Sequence, residues 1–205
     1  MMQSFVYAIV VMLVPALGLQ SPAKQRNLRT YRDSEAYKVY AALLPSNWIM
    51  GKSFAKYLVI GQETSTEDSF GCFPNLSGPW ATVFENYKRG NHTPRLLSDK
   101  LHIETSYKFV SPSVLADIFS VPETQRHDMS ELWGIWNRFY DRYAGSDGLI
   151  TFSAVGFNRD KTKALVYVAR RCGGTCGSGG YEFLVKRAGK WVRADIRARN
   201  CGWIS

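Results

Sequence analysis

The sequence predicts an α+β fold in which an antiparallel C-terminal β-meander packs against amphipathic helices and is stapled by disulfides. Three observations lead to this prediction. Segments with helical and with strand periodicity are both present, and the four clearest strand segments follow one another between Leu149 and Ile196. Apolar residues make up 45% of the 205-residue chain, which is enough to build one hydrophobic core. Four cysteines permit two disulfides.

Residues 1–22 are predicted to be a signal peptide, because they contain no charged side chain and are mostly apolar. The apolar run from Phe5 to Leu19 is shorter than the roughly 20 residues that a membrane-spanning helix needs. Ala16 and Gly18 supply small residues for cleavage. The N-terminal positive charge that is typical of signal peptides is missing, which leaves an uncleaved membrane anchor as the alternative. We therefore expect residues 23–205 to form a single domain that is secreted or periplasmic.

Four segments have apolar residues at the spacing of a helix that packs on a core. Ser34 is a candidate N-cap for the first of these helices. Pro79 lies in the first turn of the second helix, where its missing N–H removes no hydrogen bond. Asp128 and Glu131 are spaced like a capping box in the fourth, whose aromatic stripe we interpret as core rather than as a ligand platform. The predicted helices are Glu35–Leu44, Pro79–Gly90, a short helix opened by Ser111 and Pro112, and a helix from Asp128 to Gly145.

Strand character is found in six segments. Among the last four, Asn158–Lys161 and Ala188–Gly189 have the composition of turns that join antiparallel neighbours. In the last two, apolar and polar residues alternate, so we expect one face of the meander to meet solvent and the helices to cover the other. The predicted strands are Lys56–Thr64, Tyr107–Val110, Leu149–Phe157, Ala164–Arg170, Tyr181–Arg187 and Trp191–Arg197.

The positive charge is concentrated at the C-terminal end. Residues 151–205 contain eleven Lys or Arg and three acidic residues, which accounts for +8 of the net +9. Arg193 and Arg197 are predicted to share one strand face, with Trp191 beside them, and this basic face is expected to contact acidic glycans or lipid headgroups. Solubility alone is the alternative interpretation. The face lacks a stacking pattern, so no specific nucleic-acid partner is expected.

The cysteine loop, Cys172–Gly180, contains five glycines and two cysteines in nine residues. Glycine weakens regular structure unless a positive φ or a close approach requires it, so we predict a loop between two strands and not an ordinary strand. The short spacing favours a disulfide between Cys172 and Cys176, which leaves Cys72 to pair with Cys201. The two crossed pairings stay open.

The composition of the cysteine loop allows a functional interpretation beside the structural one. Consecutive glycine N–H groups next to two arginines would complement a small anion. Thiol–disulfide exchange through Cys172 and Cys176 is the alternative, although redox motifs usually place two residues between the cysteines at a helix N-terminus, and here there are three. The candidate anion-binding residues are Arg170, Arg171, Gly173, Gly174, Gly177 and Gly179.

Other catalytic chemistry is poorly supported by the sequence. The three histidines, His92, His102 and His127, are not spaced as ligands of one metal, and no Gly-x-Ser-x-Gly nucleophile elbow is present. We therefore predict neither a metal nor a cofactor, and we favour a protein that is not an enzyme.

The C-terminal part of the chain contains a specific pattern, which consists of Ser153-Ala-Val-Gly-Phe-Asn158, Ala164-Leu-Val-Tyr-Val168, Cys172-Gly-Gly-Thr-Cys-Gly177, Gly189-Lys-Trp191 and Trp203-Ile-Ser205. In this pattern the chain resembles a group of uncharacterised exported bacterial proteins. The resemblance implies an exported single-domain protein and brings no catalytic residue or ligand. The sequence as a whole thus predicts an exported binding or structural module of the cell envelope that contacts anionic ligands. A thiol–disulfide redox enzyme is the alternative.

Overall fold

The computed structural model describes residues 27–44, 55–66, 76–98, 101–120, 129–196 and 201–205, without the side chains of residues 129–133. The predicted signal peptide, Cys72, Arg197, His127 and Asp128 of the predicted capping box lie outside these ranges, and the side chain of Glu131, the other capping-box residue, is not described. In the described part of the chain, no helix combines the length and the apolar character needed to cross a membrane.

The described residues form four helices and eight strands, and the predicted α+β class is confirmed. The helices are α1 (Ser34–Leu43), α2 (Pro79–Gly90), α3 (Pro112–Phe119) and α4 (Met129–Arg142). The strands are β1 (Tyr57–Gly61), β2 (Tyr107–Val110), β3 (Ser146–Phe152), β4 (Gly156–Phe157), β5 (Lys163–Gly173), β6 (Cys176–Arg187), β7 (Lys190–Arg193) and β8 (Gly202–Ile204).

The strands form one mixed sheet with the order β2-β1-β3-β5-β6-β7. Strands β3, β5, β6 and β7 are antiparallel to their neighbours and form the predicted meander. Strand β1 runs parallel to both β2 and β3, so only the C-terminal part of the sheet is purely antiparallel. Two short strands lie off this path, since β4 pairs with β5 and β8 pairs with β6.

Helices pack on both faces of the sheet, so the prediction of a solvent-exposed face is wrong. On one face α1 covers Ile60, Phe152 and Leu184, and on the other α2 packs on Leu165 and Phe183. Helices α3 and α4 extend the second layer over β1 and β3. The alternation of polar residues in β6 misled the prediction, because these polar side chains form ion pairs across the sheet and to α1 instead of facing open water.

Two predicted boundaries also change for local reasons. The predicted strand Leu149–Phe157 is interrupted between β3 and β4, where side chains take over the backbone hydrogen bonds of the ladder. The Tyr40 hydroxyl donates to the Ser153 carbonyl at 2.8 Å, and the Val155 N–H donates to the Tyr31 hydroxyl at 3.1 Å. The predicted strand Trp191–Arg197 ends early, at Arg193.

The first helix is capped one residue earlier than predicted. Asp33, not Ser34, is the N-cap, because its side-chain Oδ1 accepts a hydrogen bond from the Glu35 N–H at 3.1 Å. The same carboxylate accepts from the Lys161 ammonium group at 3.0 Å, which ties the start of α1 to the turn that precedes β5.

Candidate functional site

The predicted disulfide between Cys172 and Cys176 is present, with a Cα–Cα distance of 5.0 Å. Cys201 is buried and is also disulfide-bonded. The loop around the first disulfide is shorter than predicted, because β5 continues to Gly173 and β6 begins at Cys176. Most of the glycine-rich stretch is therefore strand, and the prediction that it is not strand is wrong.

The glycines of β6 make room for the ring of Trp203 in β8. A Cβ atom at Gly179 would lie 2.6 Å from Trp203 Nε1, and one at Gly177 would lie 3.0 Å from the same ring. The Trp203 Nε1–H donates to the Tyr167 hydroxyl at 2.7 Å, and the Arg171 guanidinium stands 5.5 Å from the centre of the Trp203 ring. The close approach of an aromatic ring, and not a loop conformation, explains the glycines at these positions.

Most of the predicted anion-binding residues have other partners in this arrangement, and Gly174 lies exposed at the tip of the hairpin. Arg170 is only 11% exposed and forms an ion pair with Asp147 at 2.5 Å, while Arg171 covers Trp203. Gly177 and Gly179 are paired with β5 in the antiparallel ladder, and Gly173 pairs with Cys176. The hypothesis that these residues bind an anion stays a prediction, and the contacts of both arginines give it no added support.

The predicted basic face is only partly described. Arg193 forms an ion pair with Glu182 across β6 and β7 at 3.1 Å, so part of its charge is compensated within the sheet. Trp191 lies on the same strand but is 6% exposed and belongs to the core under α1. A pairing of Arg193 with Arg197 on one face stays a prediction, because Arg197 lies outside the described residues.

A cleft of about 600 Å³ lies between α1 and the turn that joins β6 to β7. This turn takes two residues with positive φ, Ala188 at 46° and Gly189 at 78°, as expected for a tight antiparallel hairpin. The floor of the cleft combines aromatic rings with small side chains, and its rim carries basic side chains. Among the lining residues, the buried Tyr37 and Trp191 and the half-buried Ala41 form the floor, and the exposed residues Lys38, Ala42, His102 and Lys190 lie at the rim.

The two walls of the α1–hairpin cleft are joined by Glu35. Its Oε2 accepts hydrogen bonds from Lys186 Nζ at 2.6 Å and from Trp191 Nε1 at 3.1 Å, and its Oε1 accepts from Lys38 Nζ at 2.5 Å. These hydrogen bonds, first that of Lys186 and then that of Lys38, lower the pKa of Glu35 from 4.5 to about 2. The carboxylate thus holds the first turn of α1 against the hairpin.

Replacing Glu35 by glutamine is expected to destabilise the fold by about 1–2 kcal/mol at neutral pH, because the hydrogen bonds to a charged carboxylate are lost. Since the folded-state pKa is about 2 and the ordinary value is 4.5, the carboxylate stabilises the fold fully above about pH 4.5. This contribution is lost as the pH falls toward 2, so the two proteins should converge in stability there.

Urea denaturation of both proteins across this pH range measures the difference. The matched control is Glu85→Gln, because Glu85 forms only an exposed ion pair with Lys88 one turn along α2 and should change stability little. A difference between the Glu35 variant and the wild type that stays constant down to pH 2 would show that the charge of Glu35 is not what stabilises the fold.

Sequence reasoning missed the cleft because its two walls come from distant parts of the chain. Glu35 and Trp191 are 156 residues apart. The sequence predicts a turn at Ala188 and Gly189, but nothing in the spacing of either segment shows that α1 lies beside it. The usable signals were a lone acidic residue in the first turn of α1 and a tryptophan directly after a basic turn.

The described residues contain no group of three His, Cys, Asp or Glu side chains that could hold a metal ion. No protein-family model, curated protein or solved structure matches this chain. The function is therefore inferred from the geometry and charge of the α1–hairpin cleft.

Proposed function

We propose that the protein is a binding module that takes an anionic ligand of the size of one or a few sugar units in the α1–hairpin cleft. The observation that supports this most is the combination of a cleft of about 600 Å³ with an apolar floor and a basic rim. Clefts of roughly 300–1,000 Å³ that join apolar walls to a few polar groups are typical of small-ligand sites.

The floor and the rim suit different parts of the same ligand. Ala41 and Ala42 offer apolar surface to the face of a ring, and the buried rings of Tyr37 and Trp191 close the floor beneath them. At the rim, Lys190 forms no ion pair with any described residue, so its charge is available to a carboxylate or sulfate group. The chemistry that fits both parts is an acidic sugar.

We also propose that the protein binds this ligand in the cell envelope. An exported protein of the cell envelope meets acidic glycans at high local concentration, which agrees with the basic character of residues 151–205. The predicted signal segment, the predicted location and the resemblance to exported bacterial proteins all favour this setting. They enter the proposal as predictions from the sequence.

Calorimetric titration with a trimer of galacturonic acid, and with a trimer of galactose as the neutral counterpart, tests the proposal. The wild type should bind the acidic trimer and not the neutral one. Ala42→Phe, which fills the cleft, and Lys190→Ala, which removes the rim charge, should each weaken binding by about tenfold or more. Lys88→Ala removes the same charge from α2 on the opposite face of the sheet and should leave binding unchanged. Equal binding of both trimers would contradict the proposal.

Thiol–disulfide exchange is the second candidate, and the exposure of Cys176 on the hairpin favours it. The surroundings do not suit a reactive thiolate. Tyr140, in the last turn of α4, donates a hydrogen bond to the Cys172 carbonyl at 2.9 Å, so a helix C-terminus lies beside the disulfide. The dipole at that end disfavours a thiolate.

We therefore expect the native protein not to accelerate reduction of a disulfide substrate such as insulin by dithiothreitol. The Cys172→Ser, Cys176→Ser double variant should bind the acidic trimer as the wild type does, because the cleft and the disulfide lie at opposite ends of β6. Catalysis by the wild type that this double variant lacks would favour the redox enzyme instead.

A further inference from the structure

Two turns lie side by side at the end of the sheet that carries the cleft. The turn between β4 and β5, residues 158–162, is joined to the end of β6 by a hydrogen bond of 2.8 Å from the Lys186 N–H to the Thr162 carbonyl. The next residue, Lys163, pairs with Val185 in the ladder. The second turn, between β6 and β7, is flanked by Arg187 and Lys190, which are directly paired.

Four basic side chains on and beside these turns form no ion pair with any described residue: Arg159, Lys163, Arg187 and Lys190. We call them the basic turn surface. Their neighbours Lys161 and Lys186 differ, because these two are paired with carboxylates of α1 and its cap. The only acidic residue within the two turns is Asp160.

The pairing of these side chains is unfavourable in the free protein. Arg187 stands directly opposite Lys190 on neighbouring strands, and like charges in that position destabilise a sheet. Lys163, which pairs with Val185, is a diagonal neighbour of Arg187, roughly 7–8 Å away in an antiparallel pair. An anionic ligand along this row would relieve the repulsion.

The basic turn surface begins where the cleft ends. Lys190 belongs to both, because it lines the rim of the cleft and pairs with Arg187 across the hairpin. Trp191 and Lys186 face α1, so the side chains of Lys190, Arg187 and Lys163 lie on the other face of the sheet. A ligand that leaves the cleft past Lys190 meets them after it passes around the tip of the hairpin. This continuity distinguishes the surface from a scattered set of solvated charges.

We propose that the ligand is an acidic glycan chain, with one segment in the cleft and the following anionic units on the basic turn surface. This inference rests on the proposed function and adds to it the polymeric nature of the ligand and its direction of exit. The unpaired row of cations that starts at Lys190 supports it.

The polar character of the turns favours a glycan over a membrane or a nucleic acid. Residues 158–162 and 187–190 expose no large hydrophobic side chain, whereas surfaces that bind lipid bilayers insert such side chains. Single-stranded nucleic acids are held by stacking on exposed aromatic rings, and the aromatic residue nearest the turn, Trp191, is buried. A glycan of charged and hydroxylated sugar units needs neither an exposed hydrophobic side chain nor an exposed aromatic ring to bind.

Titration with galacturonic acid trimer and hexamer tests the inference. A hexamer contains several positions at which three consecutive units can enter the cleft, and the affinities are corrected for this number. The wild type should then bind the hexamer about tenfold more tightly than the trimer, and its affinity for the hexamer should depend more steeply on salt. The double variant Lys163→Ser, Arg187→Ser should bind the trimer as the wild type does and lose the gain from chain length. The matched control, Lys88→Ser with Lys108→Ser, removes two exposed charges from α2 and from the opposite edge of the sheet and should keep the gain.

The outcomes separate this inference from the proposed function. The inference of a chain-like ligand is overturned if the trimer binds in the cleft but the hexamer binds no more tightly, or if the double variant still binds the hexamer more tightly than the trimer. In both cases the proposed binding site in the cleft is kept. If the trimer does not bind at all, the proposed function fails. Tighter binding of an oligothymidylate of the same charge, or of vesicles of anionic phospholipid, would overturn the assignment to a glycan. Thermal unfolding of each variant shows whether it is folded.

Discussion

Alanine at position 156 is expected to destabilise the protein by about 3 kcal/mol, because no space exists for one more methyl group between β4 and α2. A Cβ atom at Gly156 would lie 2.5 Å from Tyr87 Cβ and 2.6 Å from both Tyr87 Cα and Tyr87 N. Two of these atoms belong to the helix backbone, so no side-chain rotation removes the clash. Helix α2 would have to move away from the sheet.

Such a movement would disturb much of the second core layer. Val83, Phe84 and Tyr87 of α2 pack on Leu165 and Tyr181 of the sheet. The Asn86 side-chain amide also donates to the Phe157 carbonyl at 2.7 Å, and this bond joins α2 to β4 directly.

The midpoint and slope of urea denaturation measure the loss of stability. Gly90→Ala is the matched control, because Gly90 lies in the same helix, has no atom within 4 Å of an added Cβ and should tolerate alanine or gain slightly from it. A loss below about 1 kcal/mol for Gly156→Ala would mean that α2 packs less closely on β4 than described.

The second large effect is expected at Gly179, where alanine should displace the C-terminal strand β8. The new methyl group would lie 2.6 Å from Trp203 Nε1 and 2.8 Å from the Tyr167 hydroxyl, which are themselves hydrogen-bonded. The clash should cost about 2–3 kcal/mol, since it breaks this bond and removes the ring from its place on β6.

Near-ultraviolet circular dichroism and urea denaturation report the displacement of Trp203. Gly174→Ala is the control, because an added Cβ there meets no atom within 4 Å. Trp203→Ala removes the nearer of the two obstacles and leaves the Tyr167 hydroxyl. Gly179→Ala should therefore cost less stability in the Trp203→Ala protein than in the wild type. If Gly179→Ala is as stable as Gly174→Ala, the glycines of β6 do not serve to seat Trp203.

These two glycines also show where prediction from the sequence stops. Apolar periodicity and capping residues predicted α2 with its observed bounds and β2 likewise, because both signals act within a few residues. The glycines of β6 carry the local signal of a loop, and only the ring of Trp203, which arrives from a later part of the chain, makes them strand residues. At these positions the contact with Trp203 outweighs the local preference of glycine for a loop.

The candidate site was less predictable than the fold for the same reason. Spacing favoured the Cys172–Cys176 disulfide and left the crossed pairings open, and turn chemistry predicted the turn at Ala188 and Gly189. The cleft depends on α1 lying against the hairpin, and the Glu35–Lys186 ion pair that holds it there joins residues 151 apart in the sequence. Alternation along β6 indicated only which residues share a face, not what covers that face.

Titration of ¹⁵N-labelled protein with the galacturonic acid trimer tests the location of the binding site most directly. We expect the Trp191 indole N–H and the backbone amides of Ala41, Ala42 and Lys190 to shift together and to saturate at one ligand per protein. Shifts confined to Gly173–Gly179, or the absence of any saturable shift, would contradict a binding site in the α1–hairpin cleft.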